Sequence, residues 1–363
     1  MSLKRIAILT SGGDAPGMNA AVRALTKIAA SRGVEVHGVV LGYDGLIDGE
    51  YRPLTENHGV VDGKADLRPV PSVDRAAGRG GTVLGSARSS RFRTPEGRAE
   101  AAAKIKALDV DGLVIIGGNG SLTGAHLLAK EHGIKVVGLP ASIDNDIGAT
   151  TTCIGVDTAV NTIIDACDRI SDTASAHRRA FIVEVMGREC GYLAMASAIG
   201  AGADAVLFRE QKRTEEEVIQ AVEDTIRNGF ARGKQRVLII KSEGVPFPGT
   251  RLAREVNERI DGDIVRATIL GHLVRGGRPS FQDRRVAARM SFAALGALTD
   301  GRDDTMAAWR SSSPDAMSTL DPAVSLVPLK AVLTETDALL KGESPIMKWR
   351  LAMMEQVAGV LGV

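Results

Sequence analysis

The sequence predicts an α/β protein of two doubly wound domains built on largely parallel sheets. Three observations carry that expectation. The chain has 363 residues, too many for one small domain and well suited to two. Short apolar runs alternate with segments of helical spacing, the rhythm that gives parallel strands joined by right-handed crossovers. The apolar runs are continuous rather than alternating, as expected for strands covered on both faces.

Taken in order, "RIAILT" (5–10) reads as the first strand and is ended by "SGGDAPG". "MNAAVRALTKIAASRG" has helical spacing and stops at a glycine, a common helix terminator. "EVHGVVLG" reads as a second strand, and "PEGRAEAAAKIKAL" as a helix with proline and glutamate in its first turn. "GLVIIGG", "SLTGAHLLAKEHG" and "KVVGLP" continue as strand, helix and strand. "AFIVEVMG", "ADAVLF", "QRVLIIKSEG" and "RATILG" follow as strands separated by helical segments. The turn-rich "SSSPDAMSTLDPAVS" (311–325) is expected to return the chain between domains. One domain is then 1–155 plus roughly 274–325, and the other 156–273 plus roughly 326–363.

Composition narrows the class. Apolar residues at 44% and charged residues at 25% fit a globular chain with a sizeable core. Aromatics at 3% argue against a base-stacking platform, and a formal charge of +1 leaves no footprint for a polyanion, so no nucleic-acid partner is expected. Cys153, Cys167 and Cys190 lack paired spacing and read as reduced thiols of a cytoplasmic protein. No apolar run reaches the roughly 18 residues of a bilayer span, and the first residues lead straight into a strand. Neither a membrane segment nor a signal peptide is therefore expected.

In such sheets ligands bind beyond the carboxyl ends of the strands. "TSGGDAPG" (10–17) and "GGNGS" (117–121) sit there. Each is either an ordinary strand-to-helix turn or a place where backbone N–H groups and a helix N-terminus receive an anion. Two such turns on successive strands favour a polyphosphate, yet neither matches the P-loop or the full dinucleotide fingerprint. "PASIDNDI" (140–147) puts Asp144 and Asp146 two apart, on one side if the segment is extended. One can take a proton from an attacking hydroxyl while the other orients magnesium; the alternative is a solvated acidic turn. Arg178 and Arg179 precede one strand and Arg188 follows it; Arg266 precedes another, with His272 and Arg275 after it. Singly these are surface charges, but together they suit a phosphate monoester. Glu243 in "IIKSEG" is either a solvated loop residue or an acceptor for sugar hydroxyls.

The combination "TSGGDAPGMNAAVR", "GGTVLGSAR", "GGNGSLTGA", "IDNDI", "VEVMGRECG" and "RATILGHLVRGG", in that order, resembles the 6-phosphofructokinase family over roughly residues 4 to 300. The resemblance is to the bacterial ATP-dependent branch; the tail beyond about 310 matches weakly. It implies an active site in the cleft between the two domains and phosphorylation of fructose 6-phosphate at the 1-hydroxyl. By the resemblance, Asp144 is the general base, Ser142, Ile143 and Asp146 flank it, and Arg188 stabilises the transferred phosphoryl group. Met186, Gly187, Glu243, His272 and Arg275 line the sugar-phosphate site. Arg179 and Arg266 match arginines that reach a neighbouring subunit's site, which implies a homotetramer built from dimers. Gly12, Tyr43, Arg88, Gly118, Asn119, Gly120, Ser121 and Gly124 match nucleotide-side positions. Asn119 and Asp146 are the magnesium candidates, although the family generally has aspartate at the first. Arg23, Lys27, Arg79 and Lys234 match basic positions of an effector site between subunits.

The resemblance also bears on the phosphoryl donor. In the pyrophosphate-dependent branch the residue matching Gly120 is usually aspartate and that matching Ala141 usually lysine. Glycine and alanine leave room and add no charge, which points to ATP. Three alternatives compete: a pyrophosphate-dependent enzyme, a non-catalytic nucleotide-binding subunit and an NAD-binding oxidoreductase. Asn119 alone supports the second; Asp144, Asp146 and Arg188 oppose it, and the missing fingerprint opposes the third. Ser89 stands where related enzymes often place an aromatic beside adenine.

Overall fold

The computed structural model of the chain describes residues 3–61, 63–260 and 262–358. Its elements begin with β1 (Arg5–Ser11), α1 (Met18–Ser31), β2 (Glu35–Val39), α2 (Gly42–Asp48), β3 (Tyr51–Pro53), β4 (Thr55–Val61), β5 (Lys64–Pro69) and α3 (Pro71–Asp74). They continue with α4 (Pro95–Leu108), β6 (Gly112–Gly117), α5 (Asn119–His132), β7 (Val136–Pro140), α6 (Val156–His177), β8 (Ala180–Val185), α7 (Tyr192–Gly200) and β9 (Ala205–Leu207). After these come α8 (Glu215–Ala231), β10 (Val237–Ser242), α9 (Gly249–Ile260), β11 (Val265–Ile269) and α10 (Phe281–Thr299). The chain then forms β12 (Thr305–Trp309), β13 (Met317–Ser318), β14 (Val324–Pro328), α11 (Leu329–Leu340) and α12 (Pro345–Ala358).

Contacts divide the chain into two units. The first comprises Met1–Ser142, Ile147–Asp157 and Arg275–Ala338; the second comprises Ile143–Asp146, Thr158–Val274 and Leu339–Val363. The crossing near 325 expected from the turn-rich segment falls instead at Ala338, inside α11. The reason is strand pairing. That segment contains β13 and opens into β14, which runs antiparallel to β12 with Trp309 opposite Val324. Backbone groups that satisfy a sheet ladder hold the segment in the first unit.

The first unit's main sheet has the order β13-β14-β12-β7-β6-β1-β2-β3. β12, β7, β6, β1 and β2 are parallel, while β3 and β14 are antiparallel additions at the flanks. Every residue of β6 and β7 is buried, as their unbroken apolar sequence predicts. The "EVHGVVLG" strand ends early, at Val39, because Leu41 takes a left-handed φ of 57° and α2 starts at Gly42. A separate antiparallel ribbon, β4 and β5, has no counterpart in the sequence reading.

The second unit has one fully parallel sheet, β11-β8-β10-β9. Ile182 and Ile239 on the strands pack with Val222 and Ile226 of α8 and Leu252 and Val256 of α9. α8 begins at a reciprocal cap: Thr214 Oγ1 accepts from the Glu217 amide at 3.3 Å, and Glu217 Oε2 accepts from the Thr214 amide at 2.7 Å. Those two bonds satisfy donors that the first helical turn leaves unpaired.

Candidate active site

In the first unit the two glycine turns lie side by side. β1 and β6 are hydrogen-bonded neighbours, with Ser11 opposite Gly117. A Cβ at Gly117 would stand 2.5 Å from the Ser11 carbonyl oxygen, so only glycine allows the two strand ends to close together. Gly12 follows with φ of 88°, in the left-handed region, and its carbonyl accepts from Ser86 Oγ at 2.6 Å. α5 begins immediately after Gly118, and the first-turn amides of Asn119 and Gly120 have no preceding turn to bond to. Neither α1 nor α5 has an acidic residue in its first turn, so the positive field of each helix end is left for an external anion. A Cβ at Gly120 would meet no atom within 4 Å. Ala141 is 1% exposed at the end of β7.

The remaining residues that the resemblance assigns to a nucleotide divide into packing and surface positions. Tyr43 is buried, stacks on Phe92 with ring centroids 3.8 Å apart, and donates to the Ser121 carbonyl at 2.6 Å. Burial pushes its hydroxyl pKa up, so it stays a neutral donor. Gly124 makes this possible, since a Cβ there would lie 2.8 Å from Phe92 and 3.1 Å from Tyr43. Ser121 is also buried. Arg88 is exposed. Ser89 donates to Asp44 and accepts from the Phe92 amide, which ties down the loop after Arg88.

In the second unit, Asp144 does not lie in an extended segment. Asn145 has φ of 51°, so the chain turns between the two aspartates, and the same-side argument for an extended strand does not apply. Asp144 is 2% exposed whereas Asp146 is half-buried. The two carboxylates therefore occupy different environments. Arg188 Nε lies 3.7 Å from Asp144 Oδ2, bringing together two residues 44 positions apart. Ser142, just before this turn, belongs to the first unit and is half-buried, while Ile143 is fully buried.

The backbone around Arg188 is unusual and well supported. Gly187 has φ of 149° and Arg188 φ of 48°. Glu243 Oε1 accepts from both amides, at 3.1 and 2.8 Å. Glu243 in turn follows β10, whose Lys241 is fully buried. Lys241 Nζ donates to Glu184 Oε2 at 3.0 Å, to the Ser242 carbonyl at 3.1 Å and to the Val245 carbonyl at 3.3 Å. Met186 is buried below this turn.

The arginines do not share one end of the sheet. Arg188 and Glu243 follow the carboxyl ends of β8 and β10. Arg179 precedes β8, and Arg266 is the second residue of β11 rather than a residue before it. The strands are parallel, with Val265 opposite Ala180, so Arg179 and Arg266 share the amino end. The six residues of β8 put that end about 20 Å from Arg188. Arg266 closes its fork on Asp263 at 2.6 and 2.7 Å, holding that carboxyl below its usual range, with Arg179 adding to the effect. His272 is exposed. Arg275 belongs to the first unit, where it donates to the Asp14 carbonyl at 3.3 Å beside Gly13. Of the effector candidates, Arg23 and Lys27 converge on Asp74 at 3.0 and 3.5 Å, Arg79 is exposed, and Lys234 pairs with Asp204 at 2.7 Å in the second unit.

Sequence reasoning missed Ser86, Phe92, Lys241 and Arg350. For Lys241 the signal was present: a lysine inside the apolar run "VLIIKS" is buried if the strand is. Arg350 likewise occupies a core position of α12, on the same stripe as buried Ile346 and Met354.

Comparison with known proteins follows the same lines. A family model described as Phosphofructokinase matches residues 5–298. An "ATP-dependent 6-phosphofructokinase" of Thermotoga petrophila is 48% identical over 306 residues, covering 84% of this chain and 90% of that protein. "ATP-dependent 6-phosphofructokinase 1" of Thermus thermophilus is 42% identical over 330 residues, covering 90% and 93%. Among solved structures, Pichia pastoris phosphofructokinase in the T-state is similar with a TM-score of 0.81 and 30% identity. That match takes in 99% of this chain but only 39% of the longer yeast chain.

The packing around Gly124 gives a first test. Gly124→Val should destabilise the first unit by about 1–3 kcal/mol through overpacking against Tyr43 and Phe92. Because Tyr43 holds the Ser121 carbonyl, the same variant should raise KM for the nucleotide more than it lowers kcat. Urea unfolding and substrate titration of the variant read both effects; unchanged values for each would remove Gly124 from the support of this turn.

Proposed function

The chain belongs to the phosphofructokinase family, and from that premise we propose that it transfers the terminal phosphoryl group of ATP to the 1-hydroxyl of fructose 6-phosphate, giving fructose 1,6-bisphosphate and ADP. It is a phosphotransferase of glycolysis, working in the cytoplasm. The observation that carries the reading is the buried Asp144 carboxylate with the Arg188 guanidinium 3.7 Å away, on a turn whose two amides Glu243 holds.

Phosphoryl transfer asks the protein mainly for positioning and charge. Asp144 takes the proton of the 1-hydroxyl as that oxygen bonds to the terminal phosphorus. The bond from that phosphorus to the bridging oxygen breaks, and ADP leaves with the electron pair. Arg188 moves with the developing charge, since its half-exposed fork can exchange Asp144 for phosphoryl oxygens. Glu243 holds the Gly187–Arg188 backbone with Oε1, which leaves Oε2 for a sugar hydroxyl. His272 contributes to sugar-phosphate binding from its exposed position, and Arg275 from beside the first glycine turn.

On the donor side, the paired glycine turns and the free helix ends receive the nucleotide phosphates. Open space at Gly120 and the buried, uncharged Ala141 favour ATP over pyrophosphate. Among the described residues no three His, Cys, Asp or Glu side chains converge on a point. That donor set fits a magnesium ion carried on nucleotide phosphates with one or two protein oxygens and several waters, rather than a resident cation in a protein cage. Asp146 in the second unit and the side-chain carbonyl of Asn119 in the first are each a candidate oxygen for it, and when bound it would neutralise phosphate charge. Asn119 at the first position of α5 gives up a carboxylate but leaves the helix end fully positive for phosphate.

Arg179 and Arg266 lie a strand length from Arg188 in their own chain, which supports their service to a neighbour's sugar phosphate in a homotetramer. No helix among the described residues is long and apolar enough to cross a membrane.

Two measurements test this reading. Asp144→Asn should lower kcat for ATP-dependent phosphorylation of fructose 6-phosphate by at least ~10²-fold with little change in unfolding midpoint. Near-normal turnover by a folded variant would remove Asp144 as the base. Separately, Asp144→Asn chains mixed with Arg266→Ala chains, both inactive alone, should regain part of the activity once subunits exchange. No recovery in mixed oligomers verified by mass would show that each site is complete within one chain.

A further inference from the structure

α12 lies in the stretch beyond residue 298, outside the matched family segment, and it carries a buried arginine. Arg350 is 2% exposed. Its Nη1 donates to the Asn145 carbonyl at 3.1 Å and lies 3.8 Å from Cys190 Sγ, and its guanidinium stacks 4.4 Å over the Tyr192 ring. Nη2 finds no acceptor among the described residues. The neighbouring thiol is no counter-anion, because burial pushes its pKa up to about 12. Among the described residues no salt bridge to Arg350 is formed, so its strongest contact is one backbone carbonyl.

That carbonyl belongs to the residue between the two aspartates. Asn145 is fully buried and left-handed, with φ of 51°. Asparagine tolerates that conformation better than most side chains, so the turn forms locally and its neighbours need only hold it in place. A buried carbonyl also needs a donor, and a guanidinium supplies the strongest kind. Cys190 Sγ, at 4.0 Å from the same oxygen, is a much weaker one. Asp144 and Asp146 thus extend from a turn whose centre is clamped from behind by the C-terminal helix.

We infer that Arg350 is a positioning residue for the Asp144–Asp146 turn, so that docking of the C-terminal helix sets the geometry of the catalytic base. The inference rests on the proposed role of Asp144 and extends it to a helix beyond the segment that the family model matches. Arg350 touches no substrate; it acts through Asn145.

The test compares Arg350→Met and Arg350→Lys with Met347→Ala, which removes a fully buried side chain of the same helix, one with no donor for the Asn145 carbonyl. All are assayed as the full chain, well below their melting midpoints. Arg350→Met should lower kcat about 10- to 100-fold, the scale of a displaced catalytic group, while KM for ATP and fructose 6-phosphate stays within about twofold. Arg350→Lys should recover part of that loss. Met347→Ala should lower the melting midpoint comparably yet keep kcat. Hydrogen–deuterium exchange of the peptide spanning 141–150 should quicken in Arg350→Met alone. Equal exchange and an unchanged kcat in a folded Arg350→Met would overturn the inference, as would losses of kcat that track melting midpoint across all three. If the unmodified chain does not phosphorylate fructose 6-phosphate with ATP, the parent reading fails on that assay. The exchange difference then still decides whether Arg350 holds the turn.

Discussion

The second unit is organised around a buried ion pair. Lys241 and Glu184 face each other on adjacent parallel strands, one fully buried and the other nearly so. Placing an ammonium inside a sheet is costly unless every donor is used. Here the three donors go to Glu184, the Ser242 carbonyl and the Val245 carbonyl. The same contacts that make the charge tolerable fix the turn that carries Glu243. Glu243 then holds the amides of Gly187 and Arg188 in a left-handed turn, and Arg188 meets Asp144. The pairing of half-exposed Arg188 with buried Asp144 is therefore tied to the sheet through one carboxylate and one buried ammonium. Losing the ammonium would leave the Glu184 carboxylate without its cation, held by the Gly249 amide at 2.7 Å, and free the turn at the same time.

The first unit solves a different problem with smaller parts. Its constraint is steric: two strand ends must come close enough for their turns to act on one anion. Gly117 meets that requirement because any side chain would collide with Ser11. Gly12 supplies the reversed backbone, and two helix N-termini without acidic residues supply the field. Tyr43 and Phe92 pack beneath the second turn and hold it by one carbonyl. Under the proposed function, phosphate is received by backbone N–H groups and helix ends rather than by charged side chains, which fits a chain with a formal charge of +1.

Much of this was legible in the sequence, for physical reasons that particular residues show. Buried parallel strands such as "GLVIIG" announce themselves by unbroken apolar runs, and the turns that follow them by glycine. Antiparallel β14 and the β4–β5 ribbon were not visible, because short strands that complete a ladder carry little pattern of their own. The extended reading of "SIDND" gave way to a turn because Asn145 is one of the few residue types that tolerate a left-handed φ. The sequence places Arg179 and Arg266 before strands and Arg188 after one. The parallel register then sets the two ends a strand length apart in one sheet. Arg350 carries a weak signal, since it shares the stripe of Ile346 and Met354, but a charge there reads as surface until its burial is seen.

The central claim of the proposed function is that ATP, rather than pyrophosphate, is the phosphoryl donor to fructose 6-phosphate, with open space at Gly120 to receive it. The most direct test is kcat/KM for ATP and for pyrophosphate, each with fructose 6-phosphate and magnesium, on the unmodified chain and on Gly120→Asp. The account predicts that ATP exceeds pyrophosphate by at least about a hundredfold in the unmodified chain, a discrimination of the size that a charged or steric mismatch produces. Gly120→Asp should then lose most of its ATP activity, since the new carboxylate fills the open space before α5. A preference for pyrophosphate in the unmodified chain, or full ATP activity in Gly120→Asp, would contradict it.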